Sequence, residues 1–153
     1  MRRYFLFIVF IFTVLSLAAG HAFPEVRLKK GQTVYVPVYS HVFTGEKGHP
    51  VNLAVTLALR NTDPKYPLTV TAVEYYDDHG KLVRRLISKP LELGPMASAS
   101  FFIKAGDTTG GIGANFIVKW KAEREINAPV IESVMVRTGS GISFISPGQE
   151  IRD

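Results

Sequence analysis

Apolar and polar residues alternate along most of this chain with a period of two. Val51, Leu53, Val55, Leu57 and Leu59 alternate with Asn52, Ala54, Thr56, Ala58 and Arg60, so an extended segment here presents one apolar face and one smaller, more polar face. The same reading predicts strands at Thr33 to Ser40, Leu68 to Tyr76, Leu82 to Ile87, Ala99 to Lys104, Asn115 to Lys121 and Val130 to Thr138, with a short eighth at Ile142 to Ile145. Turn chemistry separates them: Asn61-Thr62-Asp63-Pro64 with Tyr66-Pro67, the hairpin signal Asp77-Asp78-His79-Gly80, Leu93-Gly94-Pro95, the long Gly106 to Gly113 loop and Gly139-Ser140-Gly141. No window carries a helical period. The expectation is an all-β fold, a single immunoglobulin-like β-sandwich of seven or eight strands, with an up-and-down barrel as the alternative.

The phase of each strand also predicts the core. Leu57, Val118 and Trp120 lie on apolar phases, with Phe116 beside them and Lys119 and Lys121 on the opposite face. Pro37 lacks the amide that a central strand donates, which marks Thr33 to Ser40 as an edge strand. There Val34, Val36 and Val38 face the core, while Tyr35, Pro37, Tyr39 and His41 face the other way.

The N-terminus breaks the pattern. Arg2 and Arg3 precede an apolar run from Tyr4 to Ala19, and Ala18-Ala19-Gly20-His21-Ala22 follows. A basic tip, an apolar centre and a small-residue exit form a secretory signal, so residues 1–22 are expected to direct export to the periplasm or cell envelope, leaving a domain over 23–153. The run of about 16 residues is short against the roughly 20 of a bilayer crossing, so membrane attachment is expected only if the leader stays uncleaved. With no cysteine, neither a disulfide nor a lipidated cysteine is available.

Charge excludes one class. Arg2 and Arg3 account for two of the 18 basic residues, so the remainder set against 13 acidic ones gives +3, too mild for nucleic acid. The catalytic signals are poor as well. His41, His49 and His79 lack companions at metal-ligand spacing, and the aspartates around His79 have the spacing that serves turn backbones. Asp107-Thr108-Thr109-Gly110-Gly111-Ile112-Gly113-Ala114-Asn115 could form an anion-binding concavity, or simply bend tightly between strands; it lacks the lysine and following helix of a phosphate loop. Ser140 lacks an elbow pattern. Neither an enzyme, nor a cofactor, nor a metal is expected.

Several landmarks taken together resemble a known family. Gly31-Gln32-Thr33-Val34-Tyr35-Val36-Pro37-Val38-Tyr39-Ser40-His41, Asn52-Leu53-Ala54-Val55-Thr56-Leu57, Arg60-Asn61-Thr62-Asp63-Pro64 and Tyr75-Tyr76-Asp77 are similar to the bacterial family of exported proteins called domain of unknown function 3124. Leu93-Gly94-Pro95, Gly113-Ala114-Asn115-Phe116 and Gly141-Ile142-Ser143-Phe144 extend the similarity. The resemblance implies export and supplies no activity.

The sequence thus predicts a non-enzymatic binding module for an envelope protein, peptide or glycan, acting through Tyr35, Tyr39 and His41 or through Asp107, Gly110, Gly111 and Asn115. The alternative is a small hydrolase or metal-dependent enzyme built from Asp63, Asp77, His79 and Asp107.

Overall fold

The computed structural model describes residues 28–137, 139 and 141–152; the leader, Ser140 and Thr138, the last residue of the expected Val130 to Thr138 strand, lie outside the described residues. Twelve strands are present among the described residues: β1 (Leu28–Pro37), β2 (His41–Thr44), β3 (His49–Asn52), β4 (Ala54–Arg60), β5 (Leu68–Tyr76), β6 (Leu82–Arg85), β7 (Leu91–Leu93), β8 (Ser98–Ile103), β9 (Asn115–Asn127), β10 (Val130–Arg137), β11 (Ile142–Pro147) and β12 (Gln149–Ile151). The eight strands read from alternation are all found. The additional ones are short pieces whose pairing, rather than their composition, makes them strands.

Two antiparallel sheets form a sandwich. The six-stranded sheet runs β12-β1-β9-β5, with β6 and β7 both on the outer side of β5, and the four-stranded sheet runs β11-β10-β4-β8. A separate β2–β3 hairpin stands at one end. The segment from Val51 to Arg60 is therefore two strands, because Leu53 turns its amide to the Ser40 carbonyl at 2.9 Å and leaves the β3 ladder for β4.

The core is built from the predicted phases. Val34, Val36, Val73, Tyr75, Phe116, Val118 and Trp120 from one sheet close on Val55, Leu57, Leu59, Ile103, Ile131 and Met135 from the other. Leu57 and Val118 are fully buried, and Trp120, 3% exposed, donates its indole N–H to Gln32 Oε1 at 3.2 Å, as a buried tryptophan requires.

One layout expectation is corrected. β1 is not an edge strand, since β12 pairs with it over Thr33–Tyr35 and β9 pairs with its whole length. Pro37 lies beyond β12. Val38 donates to Ala114 at 2.9 Å toward β9, so alternation turns the Pro37 backbone the other way, where its carbonyl accepts from Ser133 Oγ at 2.6 Å. The chain reaches β12 by crossing between the sheets at Gly148, where a Cβ would lie 2.6 Å from Val34 Cγ1 and 2.7 Å from the Ile131 carbonyl.

Candidate functional site

The loop before β9 is a tightly bent connection, bonded on three sides. Gly110 accepts from the Asp78 amide at 3.0 Å, Gly111 from the Ser40 amide at 3.0 Å and Ala114 from the Val38 amide at 2.9 Å. Tyr75 is fully buried beneath it, its hydroxyl 3.1 Å from Ser40 Oγ, and burial pushes the phenol pKa up. A Cβ on Gly110 would collide with that hydroxyl, so the close approach admits glycine alone. Asn115 opens β9 opposite Pro37 and Tyr76.

Asp107 is held inside this arrangement. Its carboxylate accepts from the Thr109 hydroxyl at 2.6 Å and the Thr109 amide at 3.2 Å, and pairs with the Arg84 guanidinium, which lies 5.6 Å from the Tyr75 ring centre. The Thr109 hydroxyl, followed by Arg84, holds the Asp107 carboxyl below its ordinary value of 3.8. Two loop amides are thus engaged internally, Thr109 on this carboxylate and Gly111 on the Thr108 carbonyl at 3.2 Å, where an anion nest would need them free.

A depressed carboxyl stabilises the fold above its unfolded-state value, and that contribution disappears as pH falls through the folded-state value. Asp107→Asn should therefore be less stable at neutral pH and should flatten the acid limb of the stability curve below about pH 5. Fluorescence of Trp120, the single tryptophan, reads the transition. An unchanged acid limb would mean that the contacts with Thr109 and Arg84 carry no folding energy.

The four residues of the enzyme alternative do not meet. Asp77 accepts from the amides of His79 at 3.0 Å and Lys81 at 2.8 Å, serving its own turn. His79, with its side chain 88% exposed, has Asp78 at 3.6 Å. Asp63 sits at the opposite end of β5, about 30 Å away by the rise of a nine-residue strand. It accepts there from the amides of Lys65, Tyr66 and Asn127. No group of three His, Cys, Asp or Glu positioned for a metal occurs among the described residues.

The aromatic stripe is divided too. Tyr35 lies on the outer face of the six-stranded sheet, opposite Ile117 and Gln149. β1 then ends, Tyr39 turns edge-on to Phe144 with ring centres 5.6 Å apart, and His41 opens β2 against the Phe43 ring at 5.3 Å. Ser40, between Tyr39 and His41, is where the stripe and the glycine loop meet.

A surface that alternation did not single out lies on the outer face of the four-stranded sheet. Register aligns Ile145, Val134, Thr56 and Phe102 in one row across all four strands, with Phe102 66% and Ile145 58% exposed. Val136 and Ala54 pair in the next outward row. That row borders an open cleft of about 660 Å³, lined by Pro50, Ala54, Ala105, Val136 and Arg137 among others. The sequence signal is the unbroken apolar runs Phe101-Phe102-Ile103 and Val134-Met135-Val136, which must place a large apolar group on each face of a strand.

Fold and surface together define a two-sheet β-sandwich with one apolar outer face. The chain belongs to the family described as protein of unknown function (DUF3124), whose model matches residues 31–151. Among solved structures, the crystal structure of Thermotoga maritima 1070 is similar over 77% of this chain and 92% of its own, at 10% identity and a TM-score of 0.44. No curated protein matches the sequence.

Proposed function

We propose that this chain is a non-enzymatic interaction module of the bacterial cell envelope, exported under its leader, and that it docks an envelope protein on the outer face of the four-stranded sheet. The observation that carries this reading is the row Ile145, Val134, Thr56 and Phe102, with its two most exposed apolar side chains at the ends. Exposed apolar side chains gathered on one sheet face, here Phe102, Val136 and Ile145, mark interaction sites, and aromatic anchors such as Phe102 commonly dominate their energy. The loop-built hydrolase is the weaker reading because Asp63 stands at the far end of the molecule from Asp77, His79 and Asp107. The glycine loop and Ser40 then act as the brace that holds this end of the sandwich rigid.

A photo-reactive residue at position 102 in cells should give a discrete adduct with an envelope protein, and one at Thr71, exposed on the other sheet, should not. Equal adducts at both positions, or none at 102, would remove this face as the docking surface. Mass spectrometry of the same envelope fraction should find a chain that starts near His21 or Phe23. An intact Met1 would instead make the leader an anchor.

A further inference from the structure

Among the described residues β8 is an edge of the four-stranded sheet that pairs on one side only, and its hydrogen bonding fixes which backbone groups lie along that edge. Asn61 donates to the Ala97 carbonyl at 2.9 Å, just before the ladder in which Arg60 faces Ser98 and Val55 faces Ile103. Antiparallel alternation then directs the amides and carbonyls of Ala99, Phe101 and Ile103 at β4, and those of Ser98, Ser100 and Phe102 at the open side. Among the described residues no backbone group reaches these three.

Natural sheets guard such edges with charge, proline, bulges or brevity, and the other edges of this sandwich are guarded. β6 carries Arg84 and Arg85 beside a register shift in its pairing, β7 and β12 are three residues long, and β11 ends in Pro147. β8, Ser-Ala-Ser-Phe-Phe-Ile, has six residues with no charge, no proline and no break in register. It borders the apolar row directly through Phe102.

Charge identifies the occupant. On this face Glu132 is taken by Arg60 at 2.9 Å, and beyond the cleft Asp107 is taken by Arg84. Lys104, the residue after β8, and Arg137, in the cleft lining, have no carboxylate partner among the described residues. The adjoining hairpin adds one charge of each sign, Glu46 and Lys47. Antiparallel pairing of a second copy through β8 would set each Lys104 beside the other copy's Ser98 and Arg60, whose neighbouring carboxylate Glu132 is already paired, whereas an acidic segment would neutralise Lys104 and Arg137. We infer that an extended, acidic segment of a partner protein adds as a strand to the free edge of β8, its apolar side chains extending the Phe102 row and its acidic end entering the cleft beside Lys104 and Arg137. This inference rests on the docking reading above and names the chemistry of the partner.

The test uses the full chain, purified in mild detergent, against a displayed library of random dodecapeptides. Acidic, strand-forming peptides should be enriched, and their binding should fall at least tenfold in Ser100→Pro, which removes a free-edge amide and leaves the β4 ladder intact. Binding should fall similarly in Lys104→Glu combined with Arg137→Glu, and a peptide with lysines in place of its acids should recover affinity for that charge-reversed variant. Thermal unfolding verifies that Ser100→Pro folds; if it does not, Ser98→Pro removes another free-edge amide. Enrichment of peptides that depend on Phe102 but ignore both prolines would overturn strand addition while leaving the docking face in place. No enrichment, enrichment of basic peptides, or a concentration-dependent dimer abolished by the proline would overturn the inference outright.

Discussion

Leu57→Ala should lower the unfolding free energy by about 2–5 kcal/mol, the range for truncating a fully buried leucine to a cavity. Leu57 is fully buried in β4, an inner strand of its sheet, between Phe101 of β8 and Ser133 of β10. Ladders on both sides hold the backbone, so the sheet cannot collapse into the space left by the lost side chain. Urea unfolding followed by Trp120 fluorescence measures the loss, and a change below about 0.5 kcal/mol would place Leu57 outside the core. Phe102→Ala is the matched control. Phe102 is 66% exposed, so stability should change by no more than about 0.5–1 kcal/mol, while adduct formation from a photo-reactive residue placed at Ile145, on the same row, should be lost.

Asn61→Ala should cost a similar amount, about 3–5 kcal/mol, for a different reason. The side chain is 2% exposed. Its Nδ2 donates to the carbonyls of Tyr66 at 2.9 Å, Gly94 at 2.9 Å and Leu93 at 3.2 Å, and its Oδ1 accepts from the Asp63 amide at 3.0 Å. Asp63 in turn accepts from the amides of Lys65, Tyr66 and Asn127, and these contacts, the Lys65 amide first, hold its carboxyl below the ordinary value. One Asn-Asp pair therefore ties the end of β4, the turn after it, the β7–β8 connection and the end of β9. Alanine leaves several buried backbone groups unpaired, each costing about 1–3 kcal/mol. A loss below about 1 kcal/mol in denaturant unfolding would show that water satisfies them instead.

The same residues mark which contacts are local in sequence and which are not. Asn61-Thr62-Asp63-Pro64 is legible as a turn because its side chains act on amides two or three residues away. Its second role, bonding Leu93, Gly94 and Asn127, is not legible, since those partners are remote in sequence and any residue supplies a carbonyl or an amide. Gly110 is similar. Its composition announces a bend, yet the reason no side chain fits there is the Tyr75 hydroxyl, contributed by a different strand.

By itself the alternation of Val51 to Arg60, Leu68 to Tyr76 and Asn115 to Lys121 determined strands, their inward faces and a cysteine-free apolar core containing Leu57, Val118 and Trp120, because side-chain direction in a strand repeats every two residues and is a local property. Only the tertiary structure decided that β12 covers β1, that among the described residues β8 pairs on one side alone, that Asp63 is remote from Asp107, and that Phe102 and Ile145 end one row. Those outcomes depend on register between segments far apart in the chain. Register is set by backbone hydrogen bonds and sheet packing acting together, and a backbone amide carries no mark of the partner it will find.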